Sequence, residues 1–276
     1  MEAPLVQPAP PPEHPELPEA AAPRWPAWYA GVGFLVALIG TLIAVGIVAA
    51  ATGATTGEDD PTFTVIATFI QSLIFVGTAV LFASFTRKPK AWHFGLRRSR
   101  FWPTVGWAAL GLFSFYLLAA IYSAVVQPDA EQTVAQDLGG DEGTIGLIAA
   151  GFMVVCVAPV AEELFFRGFF YRALRSRYSV LGAALIDGLV FGAIHWDFSG
   201  DGALILPPLA TLGLMFCLVY EKTGSLYPVI ALHAINNSIA YGIAVDEASV
   251  SLVLGPLMLV ACAVVPRLSA PAPAPG

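Results

Sequence analysis

Apolar residues run along this chain in blocks of about twenty, separated by short charged stretches, rather than in the half-buried alternation of a soluble fold. A hydrocarbon layer of about 30 Å is crossed by about 20 mostly apolar helical residues. Eight blocks fit: 28–51, 61–85, 103–126, 144–166, 180–196, 204–220, 226–241 and 248–265. The pattern predicts an all-α fold, a polytopic membrane helix bundle with eight transmembrane helices, because only helices and closed barrels satisfy their own backbone in lipid. The fifth, sixth and seventh blocks are short, which suits helices packed inside a bundle. Outside the helical domain (28–266) lie a Pro/Ala/Glu-rich tail over 1–27 and an Ala/Pro tail over 267–276, both expected to be disordered. The first block is uncharged and exceeds the roughly 7–15 apolar residues of a signal peptide, so it is read as a retained span.

Charge then sorts the loops. One set holds Glu58, Asp59 and Asp60; Asp129, Glu131, Asp137, Asp141 and Glu142; Asp197 and Asp201; and Asp246 and Glu247, with no Lys or Arg. The alternate set holds Arg24; Arg87, Lys88, Lys90, Arg97, Arg98 and Arg100; Arg172, Arg175 and Arg177; Lys222; and Arg267. By the positive-inside rule the second set, and with it both termini, is expected on the cytoplasmic side of the plasma membrane. The remaining basic residue, Arg167, sits beside two glutamates in the fourth block.

Composition agrees. Hydrophobic residues make up 57% and charged residues 12% of the chain, where soluble domains carry about 25% charged. The net charge of −7 gives no footprint for nucleic acid. Cys156, Cys217 and Cys262 each lie alone in an apolar run and are read as packing residues.

A charge at membrane depth costs about 2.5–3.5 kcal/mol on insertion scales, so each is a functional hypothesis by default. The first three blocks contain none; the candidates lie within 144–241, read as the catalytic core: Glu162, Glu163 and Arg167, Asp187 and His195, then His233, Asn236 and Asn237. Residues four apart share a helix face, so Glu163 and Arg167 are expected to form an ion pair while Glu162, rotated about 100° away, has no local cation. Pro159 removes a backbone donor and loosens the turn before them. His233 and Asn237 share a face, as do Phe191 and His195. A carboxylate, two imidazoles and an amide supply what peptide hydrolysis needs: a base for water and donors for an oxyanion. Taken singly, each has a bland reading: a helix anchor for the Glu–Arg pair, packing for a histidine, a bond to a neighbouring helix for Asp187 and inter-helix glue for Asn236. Their joint occurrence on three blocks favours chemistry.

Glu162 to Arg167 reads EExxxR, Phe191 to His195 reads FxxxH and His233 to Asn237 reads HxxxN. In this order and on these helices the motifs resemble those of the CPBP family, which includes the type II CAAX prenyl proteases and the bacterial Abi proteins. The resemblance covers about a hundred residues. It implies an intramembrane endopeptidase in which Glu162 and His195 activate water, His233 and Asn237 hold the oxyanion, and Glu163 and Arg167, with Phe191, support the site. Family members have been described both as metalloproteases and as metal-independent glutamate proteases. No cofactor is expected here; zinc, bound by Glu162, His195 and His233, is the alternative. The expected partners are membrane lipid and a peptide or protein substrate, with its lipidation left open, and no nucleic acid. Two competing readings are a non-catalytic scaffold or immunity protein that keeps the motifs, and a proton-coupled transporter.

One tension remains in the block pattern. Glu162 falls about one turn inside its block's end, whereas His195 falls about 22 Å from the start of its own. They meet only if the fifth helix begins deeper or the fourth runs on past Phe166.

Overall fold

The computed structural model describes residues 25–54, 60–128, 133–196 and 202–268. Each apolar block forms a helix: α1 (Trp28–Thr52), α2 (Pro61–Thr86), α3 (Phe101–Val126), α4 (Gly143–Arg175), α5 (Val180–Ala193), α6 (Leu206–Thr223), α7 (Tyr227–Ala244) and α8 (Ser249–Leu268). The described residues contain no strand. Six of these helices are long and apolar enough to cross a membrane: α1 to α4, α6 with its 3₁₀ lead-in, and α8. The expected eight spans are thus six by this measure. α5 has 14 residues, about 21 Å, too short for a 30 Å layer. α7 has the length, but with His233, Asn236 and Asn237 it is less apolar than the other six. The side chains facing outward are those a lipid-facing surface calls for: Leu35, Leu42, Ile43 and Ile47 on α1 and Leu252 and Val253 on α8 are all exposed.

α4 is the axis of the bundle and is not uniformly α-helical. At Met153–Val157 it widens into a π-helical turn, in which the Ala158 N–H bonds the carbonyl five residues back, on Met153. The next donor in that register would come from Pro159, which has no N–H, so the Val154 carbonyl is freed. A second π segment covers Phe166–Tyr171.

α5 packs most extensively on α6, and glycines set the distance. A Cβ on Gly188 would lie 2.6 Å from the Ala210 carbonyl oxygen, and one on Gly192 would lie 2.9 Å from the Ala210 nitrogen. The Gly188–Gly192 spacing is the small-residue pattern that lets membrane helices approach backbone to backbone.

The basic residues gather at one end. There the 3₁₀ turn Ala91–Phe94 is tied down: Arg172 donates to the His93 carbonyl, Tyr220 to that of Phe94, and Arg97 to that of Gly224. Arg175 bridges α4 to Glu221 on α6 at 3.0 Å. Trp25, assigned above to the N-terminal tail, is buried at this end against Phe94 and Phe169, so the packed domain includes residues 25–27. The C-terminal boundary also shifts, because α8 includes Arg267 and Leu268. Asp60, which caps α2 through the Phe63 N–H, and the Asp246–Glu247 corner lie toward the opposite end. Arg24, Glu58, Asp59, Asp129, Glu131, Asp197 and Asp201, with tail residues 1–24 and 269–276, lie outside the described residues.

Candidate active site

Because α4 continues unbroken to Arg175, Glu162 stands thirteen residues, about 20 Å, from its basic end. His195 lies about 22 Å along from the start of α5 at that same end. The depth mismatch in the block pattern disappears, since the fourth helix does run on past Phe166. His195 itself sits in the turn just beyond Ala193, its N–H bonded to the Gly192 carbonyl, rather than within the helix.

Glu162 is partly buried, and its Oε2 has no hydrogen-bond partner among the described residues. The nearest imidazole atom is His233 Nε2, 3.9 Å away. That is too long for a direct hydrogen bond, and it is the gap that one water or one substrate oxygen, at about 2.8 Å from each group, would fill. The other nitrogen of His233, Nδ1, lies 2.7 Å from Glu163 Oε1. An ionised carboxylate only accepts, so Nδ1 carries a proton and the ring is held with Nε2 toward Glu162.

Glu163 in turn accepts from Arg167 at 2.9 Å, the ion pair expected from the four-residue spacing. Its setting differs from a helix-end brace. Glu163, Arg167 and Asp187 are fully buried in mid-bundle, with Arg167 Nε 3.5 Å from Asp187 on α5 and Nη2 donating to the Gly213 carbonyl on α6. The guanidinium also lies 4.4 Å from the Phe191 ring centre. Arg167 therefore ties α4, α5 and α6 into one polar knot, in which two carboxylates share one guanidinium and Glu163 adds α7 through His233. The packing reading of Asp187, a bond to a neighbouring helix, matches this contact. The direct bond from Glu163 to His233 was not visible in the sequence, since the two residues are seventy positions apart; a buried carboxylate next to a candidate base was the only hint.

Phe191 is the hub that places His195. Its ring centre is 5.0 Å from that of His195 and 5.8 Å from that of His233, so both imidazoles pack on one aromatic ring. His195 Nδ1 lies 2.7 Å from the Phe191 carbonyl oxygen, which can only accept; the proton sits on Nδ1, and Nε2 keeps a free lone pair. Asn237, one turn along α7 from His233, donates Nδ2–H to the Val154 carbonyl at 3.0 Å, the group left free by Pro159. The second amide proton remains available. The π turn thus fixes the amide against the helix that carries Glu162. Asn236 accepts from Tyr116 on α3 at 3.3 Å, in keeping with a role as glue between helices.

Glu162 and His233 are in direct apposition, His195 joins them through Phe191, and Asn237 joins them through Val154. Among the described residues no three His, Cys, Asp or Glu side chains are gathered to hold a metal ion, and the set Glu162, His195 and His233 has only its Glu162–His233 pair in close approach.

Residues 144–239 match the sequence model of a family described as type II CAAX prenyl endopeptidase, Rce1-like. The match spans all three motifs and bears out the resemblance drawn from them. YyaK, an uncharacterized protein of Bacillus subtilis (strain 168), is 28% identical over 140 residues, which cover 49% of this chain and 46% of that relative. The chain thus spans about half the length of the curated relative it matches. No solved structure matches significantly.

Proposed function

With residues 144–239 carrying the Rce1-like match, we propose that this chain is an intramembrane endopeptidase of the plasma membrane that hydrolyses a peptide bond at membrane depth, about 20 Å from the basic end of the bundle rather than at its surface. The observation that carries the reading is the unpartnered Glu162 carboxylate, one water's width from a histidine whose other nitrogen is held by a buried carboxylate. The basic end of the bundle is read as cytoplasmic. Trp25 and Arg267 both contact the 91–101 segment there, which supports reading both ends of the helical domain as cytoplasmic.

In the proposed reaction a water on Glu162, oriented by His195 as the family resemblance implies, loses a proton to Glu162 as its oxygen attacks the peptide carbonyl carbon. The Nε2 lone pair of His195 accepts the water's other hydrogen bond and orients it. The carbonyl π electrons move to oxygen, and His233 Nε2–H with the free Asn237 amide proton hold that oxyanion. With Nδ1 held on Glu163, donation from Nε2 requires both ring protons on His233. The tetrahedral carbon collapses, the C–N bond breaks, and Glu162 returns its proton to the leaving amine. Every step uses this chain's own side chains, and the hydrolysis is read as metal-free, glutamate-type. The substrate is read as a peptide or protein that enters the site from the membrane, and a prenylated C-terminal peptide is the first one to test.

Purified protein in lipid vesicles, incubated with a farnesylated C-terminal peptide and followed by mass spectrometry, should release the C-terminal fragment. Glu162→Gln and His195→Ala should each abolish release with unchanged expression and thermal stability, and a chelator should leave the rate unchanged. Equal cleavage by wild type and Glu162→Gln would overturn the proposal; a proton flux lost in Glu162→Gln without any cleavage would favour the transporter. Chelator inhibition reversed by zinc would move the chemistry to a metal centre.

A further inference from the structure

A second cavity opens on the opposite side of α7. At the basic end, the start of α3, the start of α7 and the end of α8 enclose a cavity of about 140 Å³. Tyr227, Ala231 and Ile235 line it from α7 at four-residue spacing. His233 and Asn237 are each two residues, about 200° of helix rotation, from that stripe, so the cavity lies behind the helix that carries them.

Its two zones differ in chemistry. The inner walls are apolar, from Val105 and Ala108 on α3 to Leu259 and Cys262 on α8. The rim holds Arg98 and Arg267, both exposed, with Ser99 and Thr104, and no carboxylate lines it. Among the described residues Arg98 has no ion pair or hydrogen bond, and Arg267 bonds only the Ala263 carbonyl of its own helix while lying over the Phe101 ring. Glu221, the acidic side chain found at this end, is already bound by Arg175 and Tyr171. Two cations at the mouth of an apolar cleft therefore have no acidic partner among the described residues.

The cleft also has a direction. From Leu259 to Arg267 the wall runs eight residues, about 12 Å along α8, with its charged end at the basic end of the bundle. Phe101 on the rim and Trp102 beside it, 77% exposed, place aromatic rings at the depth where membrane proteins meet lipid headgroups. Basic pockets between transmembrane helices on the cytoplasmic side suit anionic headgroups.

We propose that this cleft binds one anionic phospholipid, with its phosphate on Arg98 and Arg267 and an acyl chain along the apolar wall. The proposal is independent of the peptidase reading, because it uses neither the catalytic set nor any substrate.

The test is native mass spectrometry of the purified full chain titrated with phosphatidylglycerol or phosphatidylcholine. One phosphatidylglycerol should be retained about 30-fold more tightly than phosphatidylcholine, roughly five-fold from each arginine. Arg98→Ala/Arg267→Ala should bring the two lipids to within about two-fold of each other by the same reasoning. A second readout does not depend on a variant folding: Cys156 and Cys217 are buried while Cys262 faces the cleft, so phosphatidylglycerol, and not phosphatidylcholine, should slow thiol labelling of Cys262. Equal retention of both lipids by the wild type, or a preference unchanged in the double variant, would overturn the proposal. So would Cys262 labelling indifferent to phosphatidylglycerol, or protected instead by self-association of two chains.

Discussion

Replacing Arg167 by Met removes the single guanidinium shared by Glu163 and Asp187, all three fully buried. Breaking a buried pair costs about 3–5 kcal/mol, because the abandoned charge stays where water cannot reach it. Here one cation serves two carboxylates and lies over the Phe191 ring, so the upper end, about 5 kcal/mol, applies. For a helical domain of this size, with roughly 2–4 °C lost per kcal/mol, that is a fall in Tm of about 10–20 °C. The assay is thermal unfolding in detergent, followed by tryptophan fluorescence, with exposed Arg177→Met as the control at about 0.5 kcal/mol or less. The triple variant Glu163→Gln/Arg167→Met/Asp187→Asn, which removes the three buried charges of the knot together, should recover most of the loss. Its peptidase activity should stay absent, since His233 no longer has a carboxylate on Nδ1. If Arg167→Met were no more damaging than Arg177→Met, or the triple variant no more stable than the single, the account of the buried knot would be wrong.

Three further outcomes follow from other contacts. Gly188→Ala places a methyl 2.6 Å from the Ala210 carbonyl oxygen and should destabilise by about 1–3 kcal/mol through overpacking, read as a lowered Tm. Asn237→Ala should lower kcat by about 10²–10³ with little change in KM, as for other lost oxyanion donors, and Pro159→Ala, which restores a donor competing for the Val154 carbonyl, should lower it less. His93, in the loop at the basic end, has its pKa lowered from 6.5 to about 4 by burial first and then by Arg87, Arg172 and Lys90. Below pH 6.5 the unfolded chain takes up a proton that the folded chain refuses, so stability should fall between pH 6.5 and about 4 and then level off. The His93 share of that slope should vanish in His93→Gln, measured by denaturation across that range.

The lipid-facing character of the chain and the place of every long helix followed from its apolar blocks, because a bilayer imposes one length and one backbone solution on any segment that crosses it. Local spacing was equally informative: Glu163 and Arg167 pair because four residues return to the same face. The extent of α4 was legible only as one of two alternatives, the fourth block running on past Phe166 or the fifth beginning deeper, and packing of Gly168 to Arg175 against α1 and the 91–97 loop decides between them. Above all, the partnership of Glu163 with His233, of Asn237 with Val154 and of Arg167 with Asp187 belongs to the tertiary structure. Each joins residues on different helices, and such contacts follow from how helix faces rotate against one another, which depends on the close glycine packing of α5 on α6 and the π turn before Pro159 rather than on any single stretch of sequence.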